Sequence, residues 1–287
     1  MTVRLLLCSD LDRTLLPNGP QPESPGARER FSRFVSRPNV TLVYVTGRHR
    51  DLVEQAMGNY RLPRPHYVIG DVGTTIYEVT AGSWRLQQAW QAEIAPDWAG
   101  LAREDIGALL DGISQLQLQE TAKQNTHKLS YYVPLYADHF ALLDEVQQRL
   151  VQHNVNASLV WSVDDPAGIG LLDILPARAN KLHAVEFLMQ QCGFTYAETV
   201  FAGDSGNDLP VLASAIPAVL VANASGEVRT AAQQQAAAQE HSGQLYLATG
   251  GLLGMNGNYS AGVLEGIVHF IPQTEAWLGR QRAGETP

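Results

Sequence analysis

The chain has 287 residues, of which 45% are hydrophobic and 17% charged, enough to bury one large core or a core with a sizeable insertion. A net charge of −9 and a pI near 5.3 argue against nucleic acid or an anionic membrane surface as a partner. No apolar run reaches the roughly 18–20 residues that span a bilayer, no leader cleavage site is visible, and the two cysteines suit a reducing compartment, so a cytoplasmic location is expected.

The first element is an apolar strand, Leu5-Leu6-Leu7-Cys8, that runs straight into Ser9-Asp10-Leu11-Asp12-Arg13-Thr14. A turn-rich loop follows, then a helix over 24–35 with Ser24 as its cap and Pro25 in its first turn. A β-branched strand over 40–45 ends in Thr46-Gly47-Arg48, a helix reaches about residue 57, and a short strand over 66–70 closes on glycine. This alternation predicts a Rossmann-like parallel sheet with helices on both faces. From Gly73 the pattern turns antiparallel. Strands near 115–119, 128–133, 158–163 and 170–175 interleave with helices near 99–113 and 139–152, which describes an inserted α+β cap over 80–175. The hinge tryptophans are expected in the core of that cap. The parallel pattern resumes at 176, with a helix from Asn180-Lys181, strands at 199–202, 218–221 and 245–247, helices over 227–240 and 260–270, and a frayed tail after Gly279. The parallel-sheet core is thus expected at 1–79 and 176–287.

Four signals fall at ends of strands or at the joint with the insertion. Asp10 and Asp12 stand two residues apart on one side of an extended segment. Two carboxylates held about 4 Å apart repel each other by several kcal/mol in a partly buried site unless a cation lies between them, and a hard divalent ion such as Mg²⁺ fits that need. Thr46 and Gly47 precede a helix whose N-terminal end attracts phosphate. Lys181 opens a helix, and Gly203-Asp204-Ser205-Gly206-Asn207-Asp208 supplies two more carboxylates after a strand. Each also reads as an ordinary polar turn; their order along the chain is what carries weight. Cys8, deep in a strand beside carboxylates, reads as a core residue and not as a nucleophile.

In this order the four motifs resemble those of the haloacid dehalogenase-like phosphohydrolases with an α/β cap. Asn125-Thr126-His127-Lys128-Leu129-Ser130-Tyr131, Asp173-Ile174-Leu175-Pro176 and the ending Gly262-Val263-Leu264-Glu265-Gly266-Ile267-Val268-His269-Phe270 are similar to the sucrose-phosphate phosphatase branch. The chain departs from the glycine that many members carry after the second aspartate, having Arg13, and has Leu15 where an aromatic is common in that branch. The resemblance implies a Mg²⁺-dependent phosphatase acting on a sugar phosphate, sucrose 6-phosphate first, with another disaccharide phosphate such as mannosylfructose phosphate, or a polyol phosphate, as the alternative substrate. Asp10 is then the nucleophile and Asp12 the acid and base, with Mg²⁺ held by Asp10, the Asp12 main-chain carbonyl and Asp204, supported by Asp208. Thr46, Gly47, Lys181 and Asn207 hold the phosphoryl oxygens. Sugar contacts are expected from Lys128, Ser130 and Tyr131 on a cap strand and from Arg48, Gly73 and Thr74 at the hinge. The rival from another class is a regulatory module docked on the synthase that makes the substrate.

Overall fold

The computed structural model describes residues 3–164 and 167–279; the tail expected after Gly279 lies outside the described residues. Strand β1 (Leu5–Ser9) is buried throughout, and its alternate residues feed two different cores, Leu5 and Leu7 on one face, Leu6 and Cys8 on the other. The chain continues through α1 (Ala27–Val35), β2 (Val40–Val45), α2 (Arg50–Tyr60), β3 (Tyr67–Gly70), β4 (Thr75–Thr80), β5 (Ser83–Leu86) and α3 (Gln88–Ile94). Next come α4 (Arg103–Leu109), β6 (Gln117–Leu118), β7 (Leu129–Pro134), α5 (His139–Gln152), β8 (Ala157–Asp164) and β9 (Ile169–Pro176). The last stretch holds α6 (Lys181–Cys192), β10 (Thr199–Gly203), α7 (Leu209–Leu212), β11 (Ala218–Leu220), α8 (Gly226–Ala238), β12 (Leu245–Leu247) and α9 (Ser260–Phe270).

Eight strands form the large sheet in the order β12-β11-β10-β1-β2-β3-β4-β5, parallel from β12 to β3 and antiparallel at β4 and β5. Phe31, Phe34, Leu264 and Ile267 cover one face; Trp90, Val185, Leu188 and Val211 cover the other. Side chains of this size each stabilise the fold by about 1.5–3 kcal/mol when fully buried. The second sheet, β6-β7-β9-β8, is wholly antiparallel, and Trp98, Ile106, Leu142 and Val146 pack on it. This gives the α/β core and α+β cap of the expected fold class. No helix among the described residues is long and apolar enough to cross a membrane.

Three expectations need correction. The cap does not begin at residue 80 by the criterion of packing: β5 extends the large sheet, and Trp90 and Ile94 of α3 lie in that sheet's core. Trp90 is accordingly not cap core; its indole N–H donates to the Gly73 carbonyl at 3.0 Å, while Trp98 does sit in the cap. Ser24 does not cap α1, because Gly26, at φ 73°, turns the chain into a helix that starts at Ala27. The Ser24 hydroxyl instead accepts from the Asn256 amide at 2.9 Å.

Candidate active site

In the register of the large sheet Ser9 lies opposite both Tyr44 and Ala202, so β1, β2 and β10 release their next residues along one edge. Carboxyl ends of parallel strands converge there, and open α/β sheets bind ligands at such edges. Asp10 leaves β1 with its amide donating to the Ala202 carbonyl at 2.9 Å. Asp204 and Asp208 follow β10. Gly203, the last residue of β10, is required as glycine, since a Cβ there would stand 2.5 Å from the Asp208 carboxyl carbon. With that space open, Asp208 Oδ2 accepts the amides of Asp204 and Ser205 and the Ser205 hydroxyl, each at 3.1 Å.

Lys181 is the first residue of α6, capped by Asn180, whose side-chain oxygen accepts from the His183 amide at 3.0 Å. Its ammonium reaches across to donate to Asp10 Oδ1 at 2.9 Å and to Asp208 Oδ1 at 2.7 Å. Thr14, fully buried, donates toward Asp10 Oδ2 at 3.3 Å and Asp204 Oδ1 at 3.4 Å. One carboxylate oxygen from each of Asp10, Asp204 and Asp208 lies within 4.8 Å of the others. Burial pushes Asp10 up to about 7, with Lys181 pulling it down and Asp208 pushing it further up. Burial and then Asp208 raise Asp204 to about 6. Burial disfavours the Lys181 charge, yet Asp10 and Asp208 hold its ammonium above the usual lysine range. The cluster therefore carries more negative charge than Lys181 alone offsets, and all its donors are hard oxygens. A divalent cation such as Mg²⁺ fits such a set.

Asp12 stands apart from that cluster. Arg48 grips it with two hydrogen bonds, Nε to Oδ2 at 2.7 Å and Nη2 to Oδ1 at 2.6 Å, and Asn18 Nδ2 adds a third at 2.8 Å. Burial would raise Asp12, but the Arg48 contacts outweigh it and hold the carboxyl below its ordinary value. Arg48, expected against the sugar, is thus brought to Asp12. Thr46 is buried at the end of β2 and accepts from the Arg48 amide at 3.2 Å. Gly47 and Asn207 are exposed beside their strand ends. Helix α2 starts only at Arg50, so Gly47 belongs to the loop before it and not to its first turn.

The cap presents Lys128 and Ser130. Ser130 Oγ donates to Asp173 on the paired strand β9, and Lys128 Nζ lies 3.6 Å from the same carboxylate. Tyr131 does not join them: side chains alternate along β7, and it packs in the cap core with Ile106 and Leu142. Gly73 and Thr74 lie between β3 and β4 of the large sheet. Gly73, at φ 98°, lets the chain pass so close to Asn180 that a Cβ would meet its backbone at 2.8 Å. Thr74 is fully buried, and its hydroxyl accepts from Asn125 Nδ2 of the cap at 2.8 Å. Asp71, not anticipated from the sequence, is buried beside them with its carboxyl raised by burial and opposed by Lys128. Its signal was slight, a lone acid after a strand. Asp173 offered a better one, a carboxylate within an apolar strand.

The sequence profile of the Sucrose-6F-phosphate phosphohydrolase family matches residues 3–271. A Nitrosococcus oceani protein described as a HAD-like hydrolase is 54% identical over 99% of this chain and 77% of its own. Mannosylfructose-phosphate phosphatase of Agrobacterium fabrum is 29% identical over 80% of this chain and 87% of its own; tobacco sucrose-phosphatase 1 is 29% identical over 93% and 59%. Among solved structures, the Synechocystis sucrose-phosphatase in complex with sucrose and phosphate superposes with a TM-score of 0.72 and 27% identity, covering 94% of this chain and 99% of that one. With a family match along nearly the whole described chain and an edge of clustered aspartates and lysine beneath a cap, the protein belongs to the Sucrose-6F-phosphate phosphohydrolase family of haloacid dehalogenase-like phosphoric monoester hydrolases.

Proposed function

We propose that the protein is a Mg²⁺-dependent phosphatase of a phosphorylated disaccharide, with sucrose 6-phosphate as the first candidate. The observation that carries this reading is the salt-linked cluster at one sheet edge, Lys181 between Asp10 and Asp208 with Asp204 alongside, under a cap that supplies Lys128 and Asp173. Asp10 attacks phosphorus in line. The bond from phosphorus to the sugar oxygen breaks as the Asp10 Oδ–P bond forms, and the sugar oxygen takes a proton from Asp12. Asp12, ionised again, then accepts a proton from water as the water oxygen displaces Asp10 from phosphorus. Lys181 keeps its charge throughout and offsets that of the phosphoryl group, while Thr46, the Gly47 amide and Asn207 hold its oxygens. Mg²⁺, held by Asp10, the Asp12 main-chain carbonyl and Asp204 with Asp208 in support, would supply the positive charge that lets a carboxylate approach a phosphate dianion. Arg48 and Asn18 hold the Asp12 carboxylate ionised in the substrate-free site, so its part in proton transfer requires those contacts to open and Asp12 to take up a proton first.

A second reading has support of its own. Identity to the mannosylfructose-phosphate phosphatase equals that to the tobacco sucrose-phosphatase, and the chain spans more of the former's length. Phosphate release from sucrose 6-phosphate, mannosylfructose phosphate and simple hexose phosphates, with and without Mg²⁺, tests both. Preference for sucrose 6-phosphate supports the first reading and preference for mannosylfructose phosphate the second. Asp10→Asn should abolish turnover on every substrate, and residual Mg²⁺-dependent turnover in that variant would remove Asp10 from the mechanism.

A further inference from the structure

Position 13 joins an unusual backbone to an unusual side chain. Arg13 has φ 58°, in the left-handed region that favours glycine. Its conformation is held from both sides: its amide donates to Asn18 Oδ1 at 2.8 Å, and its carbonyl accepts from Asn223 Nδ2 at 2.6 Å. So braced, it delivers its guanidinium to Asp204, with Nε 3.3 Å from Oδ2. That Nε is buried and has no hydrogen-bond partner, while Nη2 donates to the Asn223 carbonyl at 3.4 Å. Lys181 pairs with Asp10 and Asp208, so the third carboxylate of the cluster has a different cation beside it.

We propose that Arg13 is a positioning residue that balances the charge of Asp204 and thereby sets how tightly the aspartate cluster takes Mg²⁺. The inference rests on the metal-dependent reading above. Two cations against three carboxylates leave the cluster near a single negative charge, so a divalent ion entering it is drawn in less strongly than three aspartates and one lysine would draw it. A guanidinium in contact with a ligand carboxylate also repels that ion at short range, where Coulomb energies are large. In return Arg13 keeps Asp204 oriented when no ion is bound, as partners behind metal ligands do.

The test is calorimetric titration of MgCl₂ into EDTA-stripped wild type, Arg13→Asn and Arg13→Lys. Asparagine tolerates the left-handed backbone and removes the charge; lysine keeps the charge. The expected result is Mg²⁺ affinity at least about 10-fold tighter in Arg13→Asn and close to wild type in Arg13→Lys. Equal or weaker affinity in Arg13→Asn overturns the proposal, and so does Arg13→Lys binding as tightly as Arg13→Asn. If wild type itself takes up no Mg²⁺, the metal-dependent reading fails and this inference with it, a result distinct from unchanged affinity in the variants.

Discussion

Asp10 and Asp12 are two residues apart and live in opposite electrostatic surroundings. Asp10 is raised by burial among other carboxylates, whereas Asp12 is lowered by Arg48 once burial has been outweighed. The proposed chemistry needs the reverse, an ionised Asp10 and a protonated Asp12; a divalent cation beside Asp10 would favour the first, and opening of the Arg48 contacts the second. Arg48→Met should let Asp12 rise, moving the limb of the pH–rate profile that reports Asp12 (the alkaline limb of kcat/KM, where it acts as acid) to higher pH; an unmoved limb would show that Arg48 does not tune Asp12. The raised carboxylates also bear on stability. A carboxyl whose folded value lies above its unfolded value stabilises the fold below the unfolded value and loses that contribution as pH rises through the folded one. For Asp10 and Asp204, at about 7 and about 6, the loss falls between roughly pH 4 and 7. In EDTA their contribution to Tm should therefore decline across that window, and Mg²⁺ should raise Tm more at pH 7.5 than at pH 5. Equal Mg²⁺ effects at both pH values would contradict this.

Among the elements, β10 and the loop after it are tightly constrained. Gly203→Ala would drive a methyl into the Asp208 carboxyl, and Asp208 cannot yield without losing Lys181 and the amides of Asp204 and Ser205. Overpacking of this kind costs about 1–3 kcal/mol. Denaturant unfolding of Gly203→Ala should show a loss in that range together with a collapse of activity, and a fully active, equally stable variant would refute the assignment. Strand β7 shows how far periodicity alone reaches. Lys128 and Ser130 share one face, and strict alternation places Tyr131 on the other. That signal lay in the sequence: of Lys128, Ser130 and Tyr131, all expected against the sugar, alternation keeps only the first two on one face. Ser24 is a different case: a good capping residue before a proline loses to a glycine two positions later that can take a positive φ.

Across the whole molecule, the proposed function puts the phosphate chemistry at the core edge and the rest of the substrate against the cap. Lys128→Ala should therefore lower kcat/KM for disaccharide phosphates by about 10-fold or more while leaving a small phosphate ester within about 2-fold. Tyr131→Phe, altering a buried side chain on the opposite face, should leave both unchanged. Equal losses on large and small esters in Lys128→Ala would place Lys128 in the phosphate site. Parallel assays on sucrose 6-phosphate and p-nitrophenyl phosphate read both outcomes.

The sequence by itself determined the α/β class, the alternation from β1 to β3, the cap strands to within a few residues, and the gathering of Asp10, Asp204, Asp208 and Lys181 at one edge. Those features depend on local matters: apolar runs of strand length, polar groups where each run stops, and a parallel topology that sends all such stops to the same side. Tertiary structure alone decided that β5 and α3 belong with the large sheet, that Arg48 turns to Asp12, that Asp71 meets the cap beside Lys128, and that Arg13 reaches Asp204. Each of these joins residues through the packing of separate elements, 36 positions apart for Arg48 and Asp12. No periodicity encodes such pairs, because their partners are chosen by which charges remain unpaired once the sheets have closed.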